Sequence, residues 1–246
     1  TYFNSYVLNK GNIEMVGNYS TAVYNFDDNF VSESDHITAE GNMATAVYAG
    51  SYDLNKISNT DIKANRLMVK GDNGTVLNSN SADISIGSFT SGQAMELTAD
   101  GKNTFAFFFK KHTDNYYGTV PYLGKVSLTS DVNVNLKNGA IGFYYKGDDI
   151  VNTADFYSYL NSIVDTSGKN LTVNVDPNSY KIAIDNAKVN LSGLLNSANT
   201  SEINFTGADK SKIYRSKVIV DIDSNLDKNN STGDKSYSNM EIGNSG

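Results

Sequence analysis

Short runs of alternating apolar and polar residues recur along the chain, and a turn containing glycine follows each of them. Ile13–Val16 is such a run, Gly17–Ser20 is the turn, and a second apolar run ends at Tyr24. The same pattern returns 24 residues later at Gly41 and 30 residues after that at Gly71. A fourth copy begins 30 residues later at Gly101, a looser one at Lys137 and the weakest at Gly207. Alternation with a period of two predicts short strands, and glycine permits the positive φ angle that a tight turn requires.

Repetition at this spacing is typical of a solenoid. No single copy is long enough to bury its own apolar face, but each copy would cover the previous one if the copies stacked along an axis. Short strands without a regular leucine ladder favour a parallel β-helix over a leucine-rich repeat. The sequence therefore predicts an all-β fold, a β-solenoid that forms one unit over residues 1–246.

Four stretches interrupt the repeats. Residues 25–36 are acidic and irregular, and residues 110–122 are polar, aromatic and rich in turn residues, so both are predicted to be inserted loops. A short flanking helix is predicted over 153–165, within an insertion at 152–165, and residues 223–246 form a polar C-terminal end. The helix is indicated by apolar residues at helical spacing: Phe156, Tyr159, Leu160, Ile163 and Val164.

Composition and charge narrow the class of protein. There are 33 asparagines, which tolerate left-handed turns and form amide ladders between stacked strands, and only 2 prolines. A net charge of −7 and a pI near 4.8 argue against a nucleic-acid partner and against an anionic membrane surface. The absence of cysteine is compatible with a bacterial surface protein. Because Thr1 opens within the pattern, the chain is expected to be a piece of something longer.

The candidate chemistry is sparse. Both histidines, His36 and His112, lie in predicted loops and are interpreted as solvated, and no nucleophile elbow, phosphate loop or dinucleotide motif is present. The alternative is a polysaccharide-processing β-helix enzyme that uses surface carboxylates. Its candidates are two acidic clusters, which are Asp27, Asp28, Glu33 and Asp35 in one loop and Asp148 and Asp149 in another. No catalytic residue is predicted.

A partial calcium motif lies near the C-terminus. Asp221, Asp223, Asn225 and Asp227 match the first half of a calcium-binding loop. The second half fails, because Leu226 replaces the glycine and Thr232 replaces the bidentate glutamate. Neither a metal site nor a cofactor is predicted.

The loop at 110–122 is the candidate partner-binding segment. Amphipathic aromatic residues on a turn-rich loop supply contact area at low entropic cost, and flat rings stack on sugar faces. The alternative is that these tyrosines fold back onto the solenoid wall. The candidate residues are His112, Tyr116, Tyr117 and Tyr122.

The repeat itself resembles a known class. The G-N-x-S/A-T-A-V-Y cadence at Gly17–Tyr24 and Gly41–Tyr48 is similar to the passenger repeats of large fusobacterial-type autotransporter adhesins, which are secreted by the type V route. Gly71–Leu77, Gly101–Phe108 and Lys137–Tyr144 fit less closely. The resemblance extends over roughly residues 10–146 and concerns architecture and secretion class.

This resemblance implies a right-handed parallel β-helix outside the cell, on the bacterial surface, in a parent protein anchored in the outer membrane. It implies no catalytic residues. The expected partners are a host-cell surface protein or glycan, or another bacterial surface, and contact with the membrane is expected only through a C-terminal barrel that this chain lacks. A pure spacer stalk is the remaining alternative to an adhesin segment and to the enzyme.

Overall fold

The fold is built almost entirely from parallel β-strands. The structure, a computed structural model, describes residues 6–26, 28–51, 59–110, 124–146 and 163–185, and strand segments at 205–206, 216–219 and 240–242. Nineteen strands occur in these residues, and among them only Ile163 has a helical assignment. The strands belong to two sheets, one of 11 strands and one of 8.

The larger sheet contains two columns of strands that lie side by side. The first column consists of β1 (Tyr6–Asn9), the first halves of β4 (Asn29–Glu40) and β6 (Asn59–Lys70), β8 (Asp83–Gly87), β11 (Val126–Leu128) and β14 (Val164–Asp165). The second column consists of β2 (Ile13–Val16), the second halves of β4 and β6, β9 (Met95–Asp100), β12 (Val132–Lys137), β15 (Leu171–Val175) and β17 (Phe205–Thr206). Every pair in both columns is parallel, so the described chain returns to the same column one repeat later.

The smaller sheet forms the third column. Its strands are β3 (Thr21–Phe26), β5 (Thr45–Gly50), β7 (Thr75–Asn80), β10 (Phe105–Lys110), β13 (Ile141–Lys146), β16 (Tyr180–Asp185), β18 (Ser216–Ile219) and β19 (Met240–Ile242). All of these neighbours pair in parallel except β18 and β19, which are antiparallel. Because β3 follows β2, β5 follows β4 and β7 follows β6, each repeat contributes one coil with a strand in the third column.

The core lies between the two sheets and is stacked residue on residue. Val47 pairs with Leu77, Leu77 pairs with Phe107, and Phe107 pairs with Phe143, all four being buried. The rings of Phe107 and Phe143 are parallel to within 4°, with centroids 4.7 Å apart. Parallel pairing in register places like residues above one another, so the apolar positions of each coil are covered by those of the next.

The turns between the second and third columns, which we call the glycine corner, stack closely. A Cβ atom at Gly41 would lie 2.6 Å from the carbonyl carbon of Gly17, and one at Gly71 would lie 2.6 Å from that of Gly41. The φ angles at Gly17, Gly41, Gly71 and Gly101 lie between +135° and +147°. Both the close approach and the backbone angle require glycine. The prediction that the glycine-containing segments stack at a common edge is therefore confirmed for these four turns, while the copy at Gly207 lies outside the described residues.

Polar side chains continue this stack outward. The backbone N–H of Asn42 donates to Asn18 Oδ1 (3.0 Å), that of Asp72 to Asn42 Oδ1 (3.4 Å), and that of Lys102 to Asp72 Oδ1 (2.9 Å). Amide ladders also form, since Asn103 Nδ2 donates to Asn73 Oδ1 at 3.4 Å. Short side chains with an oxygen acceptor thus tie each turn to the following one.

The predicted all-β, parallel, solenoid-like class is confirmed, but the loop predicted over 25–36 is wrong. Residues 29–36 belong to β4, which runs without interruption to Glu40. The positions of this segment that point to the core hold Ser32 and Ser34, 0% and 3% exposed, which share a hydroxyl contact of 3.4 Å. Small polar residues at inward positions hid the alternation that would have indicated a strand.

The predicted helix is wrong at its C-terminal end. Ile163 is helical and buried in the core, but Val164 and Asp165 form β14, in which Val164 pairs with Val126. Val164 and Asp165 pair with the edge of β11, and this pairing outweighs the local preference for a helix that their spacing indicated. Residues 152–162 and 111–123 lie outside the described residues, as does most of the polar end at 223–246, where only Met240–Ile242 is described.

Candidate binding groove

A groove lies on the outside of the larger sheet, at the corner between the first and second columns. We call this the groove corner. Strands β4 and β6 cross it without a break, whereas residues 88–94 separate β8 from β9 and residues 129–131 separate β11 from β12. The two inserted segments, together with Lys63 and Lys169, line an open groove with a volume of about 540 Å³. This volume is within the range of small-ligand sites.

Hydrogen bonds from both neighbouring coils fix the loop at 88–94. Asn65 Oδ1 accepts from Ser88 Oγ (2.9 Å) and from the backbone N–H of Thr90 (2.8 Å). On the other side, the backbone N–H of Ser88 donates to Ser130 Oγ at 2.7 Å. Asn65 is itself held, because its Nδ2 donates to Asp35 Oδ1 at 3.0 Å. The loop is therefore part of the stacked structure and presents its side chains in a defined arrangement.

Both oxygens of the Asp131 carboxylate accept hydrogen bonds from the next coil. Its Oδ1 accepts from the backbone N–H of Asn170 (2.9 Å) and its Oδ2 from the side chain of Asn170 (3.2 Å). These bonds, the backbone one first, and the nearby charge of Lys169 hold the pKa of Asp131 below its ordinary value. The carboxylate is thus ionised at neutral pH, but its oxygens are bound to the coil.

The two lysines of the groove differ in their surroundings. Lys63 Nζ lies 3.4 Å from Glu33 Oε1 and 3.7 Å from Asp61 Oδ2, so its charge is balanced. Lys169 forms no salt bridge with any residue that the structure describes. Its charge nevertheless acts on the Asp131 carboxylate nearby, so the groove has one ammonium group that is close to a carboxylate without forming a salt bridge with it.

Phe89 is the apolar element of the groove. Its side chain is 51% exposed and lies in a loop whose neighbouring residues, Ser88, Thr90 and Ser91, are all polar. It contributes to the groove wall and is the aromatic residue among those that line it. With one aromatic ring among hydroxyl, amide and charged groups, the groove is more polar than the usual small-ligand site, which favours a polar ligand.

The candidate partner-binding residues from the sequence cannot be placed in this geometry. His112, Tyr116, Tyr117 and Tyr122 lie outside the described residues, as do Asp148, Asp149 and the partial calcium motif at 221–232. In the described parts of the chain, no group of three or more metal-ligating side chains comes together.

Of the acidic residues at 25–36, Glu33 and Asp35 lie on the outer face of β4, Asp28 precedes this strand, and Asp27 lies outside the described residues. Glu33 approaches Lys63, and Asp35 accepts from Asn65 Nδ2. His36 is not a solvated loop residue, because its side chain is only 12% exposed and its Nε2 lies 2.7 Å from Glu14 Oε1. The hydrogen bond from Asn65, followed by the one from His36, lowers the pKa of Asp35. These groups link successive coils to one another.

Sequence reasoning missed the groove. The segment Ser88–Gln93 contains serine, threonine and glycine around an isolated phenylalanine, which marks a loop. The available signal was a change in spacing: β4 and β6 have 12 residues each, and the corresponding segment of the next coil is interrupted. A phenylalanine at such an interruption has no core position to fill.

Within the described parts of the chain, no helix has the length and apolar character that a membrane span requires.

Searches of family models, curated proteins and solved structures found nothing that matches this chain. The function is therefore inferred from the fold and the groove.

Proposed function

We propose that this chain is a segment of a non-enzymatic bacterial cell-surface adhesin. Its coils form a right-handed parallel β-helix that holds exposed loops and the groove corner away from the cell for attachment to host cells or to other bacteria. In this proposal the segment is extracellular and belongs to an autotransporter passenger whose parent is anchored in the outer membrane. The right hand is supported by the strong preference of parallel strand connections for that sense.

One observation carries the proposal: the described strands pair in parallel from coil to coil in all three columns, with the β18–β19 pair as the exception. Each coil contacts its neighbours, and the backbone groups of one coil bind those of the next. At the glycine corner, for example, the N–H of Gly71 donates to Asp100 O at 2.8 Å. An arrangement of this kind makes a stiff, elongated scaffold, which is what an adhesin stalk requires.

The polar ladders support an exposed location. Contacts between coils at the surface are made by charged and amide side chains, such as Lys70 with Glu40 (2.9 Å) and Asn174 with Asn135 (3.0 Å). Such contacts tolerate water, and the chain has no cysteine whose oxidation would alter the structure outside a cell. The groove and its loop project from this scaffold, where a partner has access to them.

The test is an attachment assay with the full chain. Fluorescent beads coated with the protein are incubated with epithelial cells and with bacteria, and beads coated with an unrelated acidic protein of similar size serve as the control. We expect several times more attachment to at least one cell type than the control gives. Attachment equal to the control would contradict the adhesin proposal and favour the alternative that the chain is a pure spacer stalk. Release of reducing ends from polysaccharides would contradict the non-enzymatic assignment.

A further inference from the structure

We propose that the groove corner binds an oligosaccharide and that the ring of Phe89 stacks against the face of one sugar residue. The inference rests on the proposed function, since it names the chemical class that the adhesin would attach to. The ligand class follows from the size of the groove, its free polar groups, its single aromatic ring and its charge.

The groove has the size of a short glycan and not of a protein interface. Its volume of about 540 Å³ accommodates a small ligand. A stable protein partner would bury about 800 Å² on each side and would need several apolar anchors. Phe89 is the aromatic anchor that the described lining offers.

The polar lining is divided between groups that hold the loop and groups that remain available. Ser88, Ser130 and Asp131 are bound to neighbouring coils. By contrast, the side chains of Ser91 and Gln93 make no hydrogen bond with any described residue, although both line the groove. A hydroxyl and an amide both donate and accept, which matches the hydroxyl groups of a sugar.

The loop at 88–94 is already ordered before a ligand binds. The Asn65 side chain fixes Ser88 and Thr90, and these residues flank Phe89 directly. The ring is therefore carried on a backbone that is held from both sides. A pre-formed site of this kind loses less conformational entropy on binding, which favours recognition of a ligand that offers few contacts.

The charge of the groove favours a sugar that carries a carboxylate. The oxygens of Asp131 are bound to Asn170, and Lys63 is paired with Glu33. Lys169 lies near Asp131 but forms no salt bridge with any described residue, so its ammonium group is available to a ligand. An acidic sugar would place a carboxylate against Lys169, whereas a neutral sugar would use only the hydroxyl contacts and the ring.

The experiment measures binding of the full chain to an array of neutral and carboxylated glycans, followed by titration of the best ligand. We expect Phe89→Ala and Phe89→Leu to weaken binding about tenfold or more, because each removes the flat ring. Phe89→Tyr keeps the ring and is expected to bind within about threefold of the wild type. Lys169→Gln is expected to reduce the preference for carboxylated glycans without abolishing binding of neutral ones.

Tyr19→Asn is the matched control. Tyr19 is 75% exposed at the glycine corner with a φ of +60°, and asparagine tolerates that backbone angle. This variant removes an exposed ring away from the groove and should leave glycan binding unchanged. Circular dichroism of every variant reports whether the strands are retained.

The outcomes separate the two proposals. Glycan binding that is unaffected by Phe89→Ala would overturn the groove assignment. Beads that attach to cells although no glycan binds would overturn the inference and leave the adhesin intact, and loss of that attachment after protease treatment of the cells would identify a protein partner. Glycan binding that depends on Phe89, without any attachment to cells, would support the inference and contradict the proposed function.

Discussion

The glycine corner and the groove corner belong to the same coils but differ in how their turns are built. At the glycine corner, the turns at 17–20, 41–44, 71–74 and 101–104 have one length, and their third residues all have a φ between +55° and +60°. At the groove corner, β4 and β6 have no turn, while the next coil has the loop at 88–94.

Stacking explains the difference. At the glycine corner each turn lies on the backbone of the previous one, so a change in one turn forces its neighbours to change. At the groove corner the chain leaves the sheet outward, and only a few side chains such as Asn65 connect the loop to the coils. The first arrangement builds the scaffold, and the second permits variation of the surface.

Replacement of Gly71 by alanine should have the largest effect. The new Cβ would overlap the carbonyl of Gly41, and alanine rarely adopts a φ of +135°. We expect a loss of about 3–4 kcal/mol in the free energy of unfolding, measured by urea denaturation. The matched control is Gly17→Ala, which has a φ of +147° but no atom within 4 Å of the added Cβ. An equal loss in both variants would show that backbone strain, and not the contact between coils, requires glycine.

Thr104→Val should destabilise the protein less. The fully buried hydroxyl of Thr104 donates to Gly71 O and accepts from the N–H of Gly74 at 3.2 Å. Valine keeps the shape but leaves both backbone groups without this partner, at a cost of about 2 kcal/mol. Ser20→Ala is the control, because the Ser20 hydroxyl donates to Gly17 O (2.7 Å) at a partly buried site, and we expect less than about 1 kcal/mol. Denaturation midpoints that shift equally would contradict a role for burial.

The groove corner should respond to acid through Asp131. The backbone N–H of Asn170, then its side chain, lowers the pKa of Asp131 in the folded state below the ordinary 3.8. A lowered folded pKa contributes stability above the unfolded pKa, and this contribution is lost as the pH falls through the folded value. We expect Asp131→Asn to lower the melting temperature slightly at pH 7, with a difference that shrinks below about pH 4. A difference that stays constant from pH 7 to pH 3 would contradict this linkage.

The sequence was informative where the structural requirement is local. Gly17, Gly41, Gly71 and Gly101 are each required by their own turn, so their spacing reported the stacked coils directly. The strand at 29–36 was missed because Ser32 and Ser34 occupy the inward positions, where apolar residues were expected. A short polar core layer is stable only because neighbouring coils supply partners such as Asn9 Nδ2, 3.0 Å from Ser32 Oγ.

The groove could not be predicted for a related reason. It forms where Asn65, Ser88 and Ser130 meet, and these residues come from three different coils. The number of residues between equivalent positions changes along the chain, since Asn65 is 23 residues from Ser88, whereas Ser130 is 42 residues from it. A single repeat period read from the sequence therefore does not place these residues next to one another. The candidate loop at 110–122 remains a prediction from residue 111 onward, because only Lys110, the last residue of β10, is described.

The smallest effect should come from lengthening the loop at 88–94. Insertion of Gly-Ser between Ser91 and Gly92 extends a surface loop whose tip has open space, since a Cβ at Gly92 would meet nothing within 4 Å. Loop entropy rises slowly with length, so we expect a loss below about 0.6 kcal/mol in urea denaturation. The same insertion between Asp72 and Asn73 should unfold the neighbouring coils, because the Asp72 side chain accepts from Lys102 N and the Asn73 N–H donates to Lys102 O. If the two insertions were tolerated equally, the corners would not differ in constraint, and the groove could no longer be separated from the scaffold as the variable part of the molecule.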